Sequence, residues 1–306
     1  MEKNLWKHIQ SVKSRSPLVH NITNYVVMNN TANALLAAGA SPIMAHAKSE
    51  VRDMVALANA SVINIGTLDE YGSEAMLLAA ETSHAMGKPW VLDPVGAGAT
   101  PFRDKILKQL LAFKPTVVKG NASEIMALAQ ASQEPTKGVD STAASDEAVA
   151  AAHTICSVYH TMVCISGAKD IVTDGTQTVH IENGHPLMAK VTGTGCTAAA
   201  LIGAFIGVTE NKIEAVTAAM ALLGIAGELA EKQSNGPGTL QLHLLDTLYS
   251  LSEKEFFDHI WSSRKKHAEE TICCRLRNRL FKVVSTSSNC VKSNWMNTYF
   301  WKGQND

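Results

Sequence analysis

Short runs of β-branched and aromatic residues, most of them closed by a polar side chain, alternate with longer Ala/Leu/Met-rich segments through most of this chain. Val62–Ile65, Trp90–Asp93, Thr116–Lys119, Met162–Ser166 and Thr178–Ile181 read as strands. Ser49–Asn59, Glu74–Met86, Arg103–Phe113, Ser123–Ala131 and Asp146–Tyr159 read as helices. Runs such as WVLD and TVVK are apolar at successive positions, which a strand tolerates only when both sheet faces are covered. The pattern predicts an α/β fold, a mostly parallel central sheet with helices on both faces. After Gly195 the chain turns almost wholly helical, over Thr197–Val208, Asn211–Lys232 and Leu240–Leu251. No linker interrupts residues 1–262, which are expected to form one domain.

Such sheets bind ligands beyond the carboxyl ends of their strands. The residues there are Asp93 in LDPVGAGAT, Lys119 in VVKGNASE, Ser166 in CISGAKD, and the turn Thr192-Gly193-Thr194-Gly195-Cys196-Thr197. In that turn two glycines precede an apolar helix, so backbone N–H groups and the positive end of the helix dipole converge. The result is an anion hole suited to phosphate; the plainer reading is a helix start that needs tight packing. Cys196 reads as the first residue of the helix, where a thiol is expected to have a lowered pKa. It suits a nucleophile, a general base or a hydrogen-bond partner to a hydroxyl, and equally a small buried hydrophobe.

Asp93 and Glu124 lie at neighbouring strand ends, an arrangement of oxygen ligands that suits Mg²⁺ bridging substrate phosphates. Glu124 also stands three residues after Asn121, the spacing of a helix capping box, and both roles can hold together. The string GTGCTA fits a dinucleotide fingerprint with Glu214 as its acidic partner. However, Glu214 falls inside a helical run, and the motif comes late in the chain. No GxxxxGK[ST] loop occurs, and the eleven histidines show no metal spacing, so each reads as structural or surface.

Taken together, HNITN (His20–Asn24), SPIMA (Ser41–Ala45), LDPVGAGAT, GNASE and VTGTGC resemble hydroxyethylthiazole kinase, a thiamine-pathway enzyme of the ribokinase-like superfamily. The five motifs occur in the family's order over roughly residues 5–260. The resemblance implies transfer of the ATP γ-phosphate to the hydroxyl of 4-methyl-5-(2-hydroxyethyl)thiazole, with Mg²⁺. It also implies a homotrimer with active sites between subunits. By resemblance, Met44 and Gly193 contact the thiazole and Asn24 lies near it. Lys119 and Ser166 face ATP, and Asp93 and Glu124 serve the metal. Cys196 stands where ribokinase relatives place a catalytic Asp, and Gly193, Thr194 and Gly195 form the catalytic anion hole beside it. Lys119 replaces the family's usual Arg, keeping the charge without the bidentate fork, and Ser166 replaces Thr. Another small-alcohol kinase of the same fold, such as a hydroxymethylpyrimidine kinase, and a non-catalytic binder remain as alternatives.

With 27 basic and 28 acidic residues the chain gives no overall reason to expect nucleic acid or an anionic membrane as partner. The longest apolar run, Thr197–Val208, is shorter than a membrane span. The N-terminus lacks the apolar core of a secretory signal, and the six cysteines form no CxxC pair, so a reducing cytoplasm is expected. Charge is uneven: residues 264–306 carry nine basic and three acidic side chains, leaving the body net negative. This basic tail, 263–306, reads as a nucleic-acid or membrane arm, or as a poorly ordered or loosely helical appendage that the core does not need. The resembled family offers no counterpart to it.

Overall fold

The computed structural model describes residues 2–132 and 144–260. Helix α1 (Glu2–Arg15) leads to β1 (Leu18–Ile22), α2 (Met28–Ala38), β2 (Ser41–Ile43), α3 (Val51–Leu57) and β3 (Ala60–Asn64). Then come α4 (Glu70–Ala85), β4 (Trp90–Asp93), α5 (Pro101–Ala112), β5 (Val117–Asn121) and α6 (Ala122–Ser132). The chain continues as α7 (Ala144–Tyr159), β6 (Met162–Ser166), β7 (Asp170–Thr173), β8 (Thr178–Ile181) and a short 3-10 helix, Pro186–Lys190. It closes with α8 (Thr194–Ile206), α9 (Lys212–Glu231), α10 (Pro237–Ser250) and α11 (Glu253–His259). The basic tail predicted for 263–306 lies outside the described residues.

One eight-stranded sheet runs in the order β2-β1-β3-β4-β5-β6-β7-β8. The first six strands pair in parallel, and β7 and β8 close the far edge as antiparallel partners. Each inner strand sends alternate residues to opposite faces, and both faces are apolar. Val62, Val91, Val117 and Cys164 join a core with α1, α2, α8, α9 and α10. Ile63, Leu92, Val118 and Val163 join a second core with α3 to α7. This explains the unbroken apolar runs in the sequence.

Helix starts are set by local chemistry. Asp69 accepts from Gly72 N at the head of α4, and Thr100 accepts from Arg103 N ahead of Pro101 at the head of α5. Asn211 caps α9, and Ser252 with Glu255 forms a full capping box on α11. The expectation that no segment reaches membrane-spanning length is corrected by α9. Its twenty residues, uncharged between Glu214 and Glu228, are long and apolar enough to cross a membrane, yet 83% of its apolar 18-residue window is buried within the protein. It is the central helix of the first core, packed against α1, α8, α10, β7 and β8.

Candidate active site

The parallel register brings polar strand ends side by side, pairing Asn64 with Asp93 and Asn121 with Ser166. Asn24 follows β1, two residues past its end. Its amide Nδ2 donates to Asn64 Oδ1 at 2.9 Å, and Asn64 Nδ2 donates to Asp93 Oδ2 at 2.6 Å. Gly66 N–H also donates to Asn64 Oδ1 at 2.9 Å, which fixes the orientation of that amide. Asn24, Asn64 and Asp93 are all buried. Cys196 completes the group: Asn24 Nδ2 approaches its Sγ at 3.4 Å, and the Asp93 carboxyl is close enough to affect the thiol electrostatically. Asn64 is the member that sequence reasoning missed. Its signal was present, a polar residue closing the apolar run ASVIN, but the strand was read as running on to Ile65.

The anion-hole turn is built differently from its expectation. Gly193 takes φ +81° and serves as N-cap, and its carbonyl accepts from Thr197 N at 2.8 Å, so α8 begins at Thr194. Gly195 and Cys196 therefore lie within the first turn, and Cys196 is the third helical residue. The first N–H groups of α8 have no partner inside the helix and point out of its end. Only glycine fits at 193, because an added Cβ would sit 2.5 Å from Val27 Cγ1. Thr194 Oγ1 ties the turn to the carbonyls of Val191 (2.9 Å) and Met188 (3.2 Å).

The lowered thiol pKa expected for Cys196 is also overturned. Burial raises it, and the nearby Asp93 charge raises it further; hydrogen bonds from Asn64 and Asn24 and the Lys119 charge only partly oppose them. Desolvation and a neighbouring anion outweigh the helix dipole here. Asp93 is pushed up to about 6, chiefly by burial, with Lys119 opposing and Glu124 adding to the rise. Burial pulls Lys119 down, but the charges around it, Asp93 foremost, leave it above its ordinary value. This ammonium lies under the helix start, 3.1 Å from where a Cβ on Gly195 would sit.

Glu124 fulfils the capping box: its Oε2 accepts from Asn121 N at 2.8 Å, while its own N–H donates to Asn121 Oδ1 at 2.9 Å. Its Oε1 accepts from Gly96 N at 3.1 Å, joining β5 to the glycine-rich turn after Asp93. Arg103, also unread in the sequence, grips the turns after β3 and β4 through the carbonyls of Val95 (2.9 Å), Gly66 (3.0 Å) and Ile65. A cation in the first turn of α5 opposes the helix dipole, and three carbonyl acceptors offset that cost.

Ser166, Thr194, Gly195, Asp170, Met188 and Met220 help line a largely apolar cleft of about 560 Å³ that opens beside the anion-hole turn. Ser166 Oγ donates to Gly120 O at 3.4 Å, and Asp170 accepts from Gly167 N at 2.9 Å. Met44 connects to the cluster through its backbone: its carbonyl meets His46 Nδ1, whose other nitrogen meets Thr23, next to Asn24. Glu214 is remote from this site, held by His8 and Asn4 of α1, which removes the dinucleotide reading.

A sequence model of the hydroxyethylthiazole kinase family matches residues 9–254. Hydroxyethylthiazole kinase of Syntrophus aciditrophicus is 52% identical over 254 residues, 83% of this chain and 94% of the relative. That of Vibrio parahaemolyticus is 51% identical over 248 residues, 80% of this chain and 92% of the relative. The solved hydroxyethylthiazole kinase of Pyrococcus horikoshii OT3 superposes with a TM-score of 0.79 at 44% identity, covering 84% of this chain and 97% of its own. A ribokinase-like superfamily protein of Enterococcus faecalis V583 shares the fold alone, with a TM-score of 0.60 at 14% identity over 79% of this chain and 89% of its own. With a ribokinase-like sheet, a glycine turn opening α8 beside its polar strand ends and relatives at this identity over nearly their full length, the chain belongs to the hydroxyethylthiazole kinase family.

Proposed function

We propose that the protein transfers the γ-phosphoryl group of ATP to the hydroxyl of 4-methyl-5-(2-hydroxyethyl)thiazole, the kinase step of thiamine biosynthesis or salvage. The observation that carries this reading is the convergence of Asn24, Asn64, Asp93, Cys196 and buried Lys119 on the start of α8, beside an apolar cleft. Phosphoryl transfer asks a protein mainly for positioning and for charge stabilisation. Lys119, Gly193, Thr194, Gly195 and the first N–H groups of α8 supply fixed positive potential where charge develops on the moving phosphoryl. Ser166 faces ATP from the cleft, and Lys119, buried under Gly195, faces it from beneath the start of α8. Asn24, Met44 and Gly193 face the thiazole. Cys196 stands between the two, its thiol protonated by virtue of its raised pKa, and it orients the acceptor hydroxyl.

Asp93 and Glu124 fit a Mg²⁺ ion. Both are hard oxygen donors, and they lie close enough for the Glu124 charge to raise Asp93, a repulsion that a cation relieves. When bound, the ion would neutralise charge on the ATP phosphates. Residues 1–262 are the catalytic domain in this reading, assembled as a homotrimer with each site completed between subunits. Exposed Tyr25 and Val26, next to Asn24, support that assembly. The free Cys156, Cys164 and Cys196 suit a reducing cytoplasm.

The test is thiazole-alcohol-dependent release of ADP from Mg-ATP by the full-length protein. Release stimulated by the thiazole alcohol, and not by hydroxymethylpyrimidine, is expected. A folded protein that binds ATP and shows no stimulation sinks the reading.

A further inference from the structure

The segment after β2 is held by two imidazoles. His46 Nδ1 lies 3.0 Å from the Met44 carbonyl, and its Nε2 lies 3.2 Å from Thr23 N and 3.3 Å from Thr23 O. A backbone N–H can only donate and a carbonyl can only accept. The neutral ring with its proton on Nδ1 therefore satisfies both Thr23 N–H and Met44 C=O, whereas the opposite tautomer gives up both and keeps only the longer contact, Nε2–H to the Thr23 carbonyl at 3.3 Å. His20, buried in β1, reaches the next carbonyl, Ala45 O, at 2.8 Å through Nε2, which must carry the proton there. Consecutive carbonyls of one loop are thus gripped by rings of fixed tautomer. The His46 ring bolts that loop to the residue preceding Asn24, whose amide bonds both Asn64 and Cys196.

We infer that His46 is a positioning residue for the acceptor alcohol: its bridge between Met44 and Thr23 sets affinity for the hydroxyethyl azole and leaves ATP affinity alone. The inference rests on the reading that Met44 and Asn24 line the acceptor pocket. The ATP cleft draws its walls from residues 166–224, none of which takes part in the bridge. Sequence reasoning set all histidines aside because they lacked metal spacing. The relevant property of His46 is a donor and an acceptor at opposite edges of one ring, and sequence does not display it.

Steady-state kinetics on the full-length protein test this with His46→Leu and His46→Gln. Leucine removes both hydrogen bonds. The expected result is a KM for the thiazole alcohol raised by about tenfold or more, with KM for ATP within about twofold of wild type. Glutamine carries one donor and one acceptor at similar spacing and is expected to recover most of that loss. Nitrogen-15 NMR of the wild-type protein is expected to show His46 protonated at Nδ1 and bare at Nε2. A leucine variant whose thiazole KM does not change, or whose two KM values rise together, overturns the inference; so does a ring protonated at Nε2. If His46→Leu fails to fold, His46→Gln decides: a shift in the thiazole KM matched by ATP counts against the bridge. An inactive wild-type protein overturns the reaction and the inference together, whereas an active enzyme indifferent to His46 overturns the inference alone.

Discussion

Cys196 shows how burial can reverse what position alone dictates. A thiol in the first turn of a helix is expected to ionise easily, but this one is desolvated and shares its space with Asp93. Alkylation of Cys196 by iodoacetamide at neutral pH, followed by mass spectrometry, is therefore expected to be slower than that of a free thiol in a peptide. A faster reaction would mean that the helix dipole and Lys119 dominate after all. Gly193 makes the opposite point, since its role is legible in the string GTGC and its reason is geometric. Gly193→Ala forces a side chain into φ +81° and against Val27. It is expected to cost about 1–3 kcal/mol of stability and most of the turnover, read by thermal melts and the ADP assay. Intact turnover would show that the start of α8 can shift without consequence. Of the residues that build the site, Asp93, Lys119, Glu124, Ser166 and Asn24 could be found in the sequence because each stands near a strand end or in a motif. Asn64 was lost to a strand end misplaced by one residue, and Arg103 and His46 act through backbone groups of other turns, which no local pattern marks.

At the level of elements, five of the eight strands were readable and three were not. Trp90–Asp93, Met162–Ser166 and Thr178–Ile181 match their strands residue for residue. β1, β2 and β7 went unread, and each has a physical disguise. β1 carries His20 and Asn21 at buried positions, β2 has three residues with a proline among them, and β7 opens on Asp170. α2 opens on Met-Asn-Asn without a side-chain cap, so its start gives no signal either. Packing between elements is tight where α8 crosses the sheet: a Cβ on Gly203 would lie 2.5 Å from Val62 Cγ2 and 3.2 Å from Val19 Cγ1. Gly203→Ala is thus expected to destabilise the protein by about 1–3 kcal/mol despite the better helix propensity of alanine. Calorimetry would read this as a melting temperature lowered by several degrees, and an unchanged or raised value would show that α8 can lift from β1 and β3 at little cost.

For the whole molecule, buried carboxyls shape the dependence of stability on pH. Asp170 is pushed up to about 6 from an ordinary 3.8, chiefly by burial, with the Gly167 hydrogen bond and the Lys119 charge opposing. The folded state holds this proton more tightly than the unfolded chain. Its contribution is therefore complete below pH 3.8 and is lost as pH rises through about 6. Asp170→Asn keeps an acceptor for Gly167 and removes the charge. It is expected to match wild type near pH 4 and to exceed it by up to about 3 kcal/mol above pH 7. Denaturant titrations across that range check the sign, and a gap that shrinks with rising pH would refute it. Another molecular property follows from α9 and its place in the chain. Of the elements packed against it, α1, β7, β8 and α8 all precede it, and only α10 and α11 come later. During synthesis, a segment that membrane-insertion machinery would accept on hydropathy emerges after most of its covering surface has been made. Chain order thereby guards against misdelivery, and a circular permutant that begins with α9 would lose that protection while keeping the same native contacts.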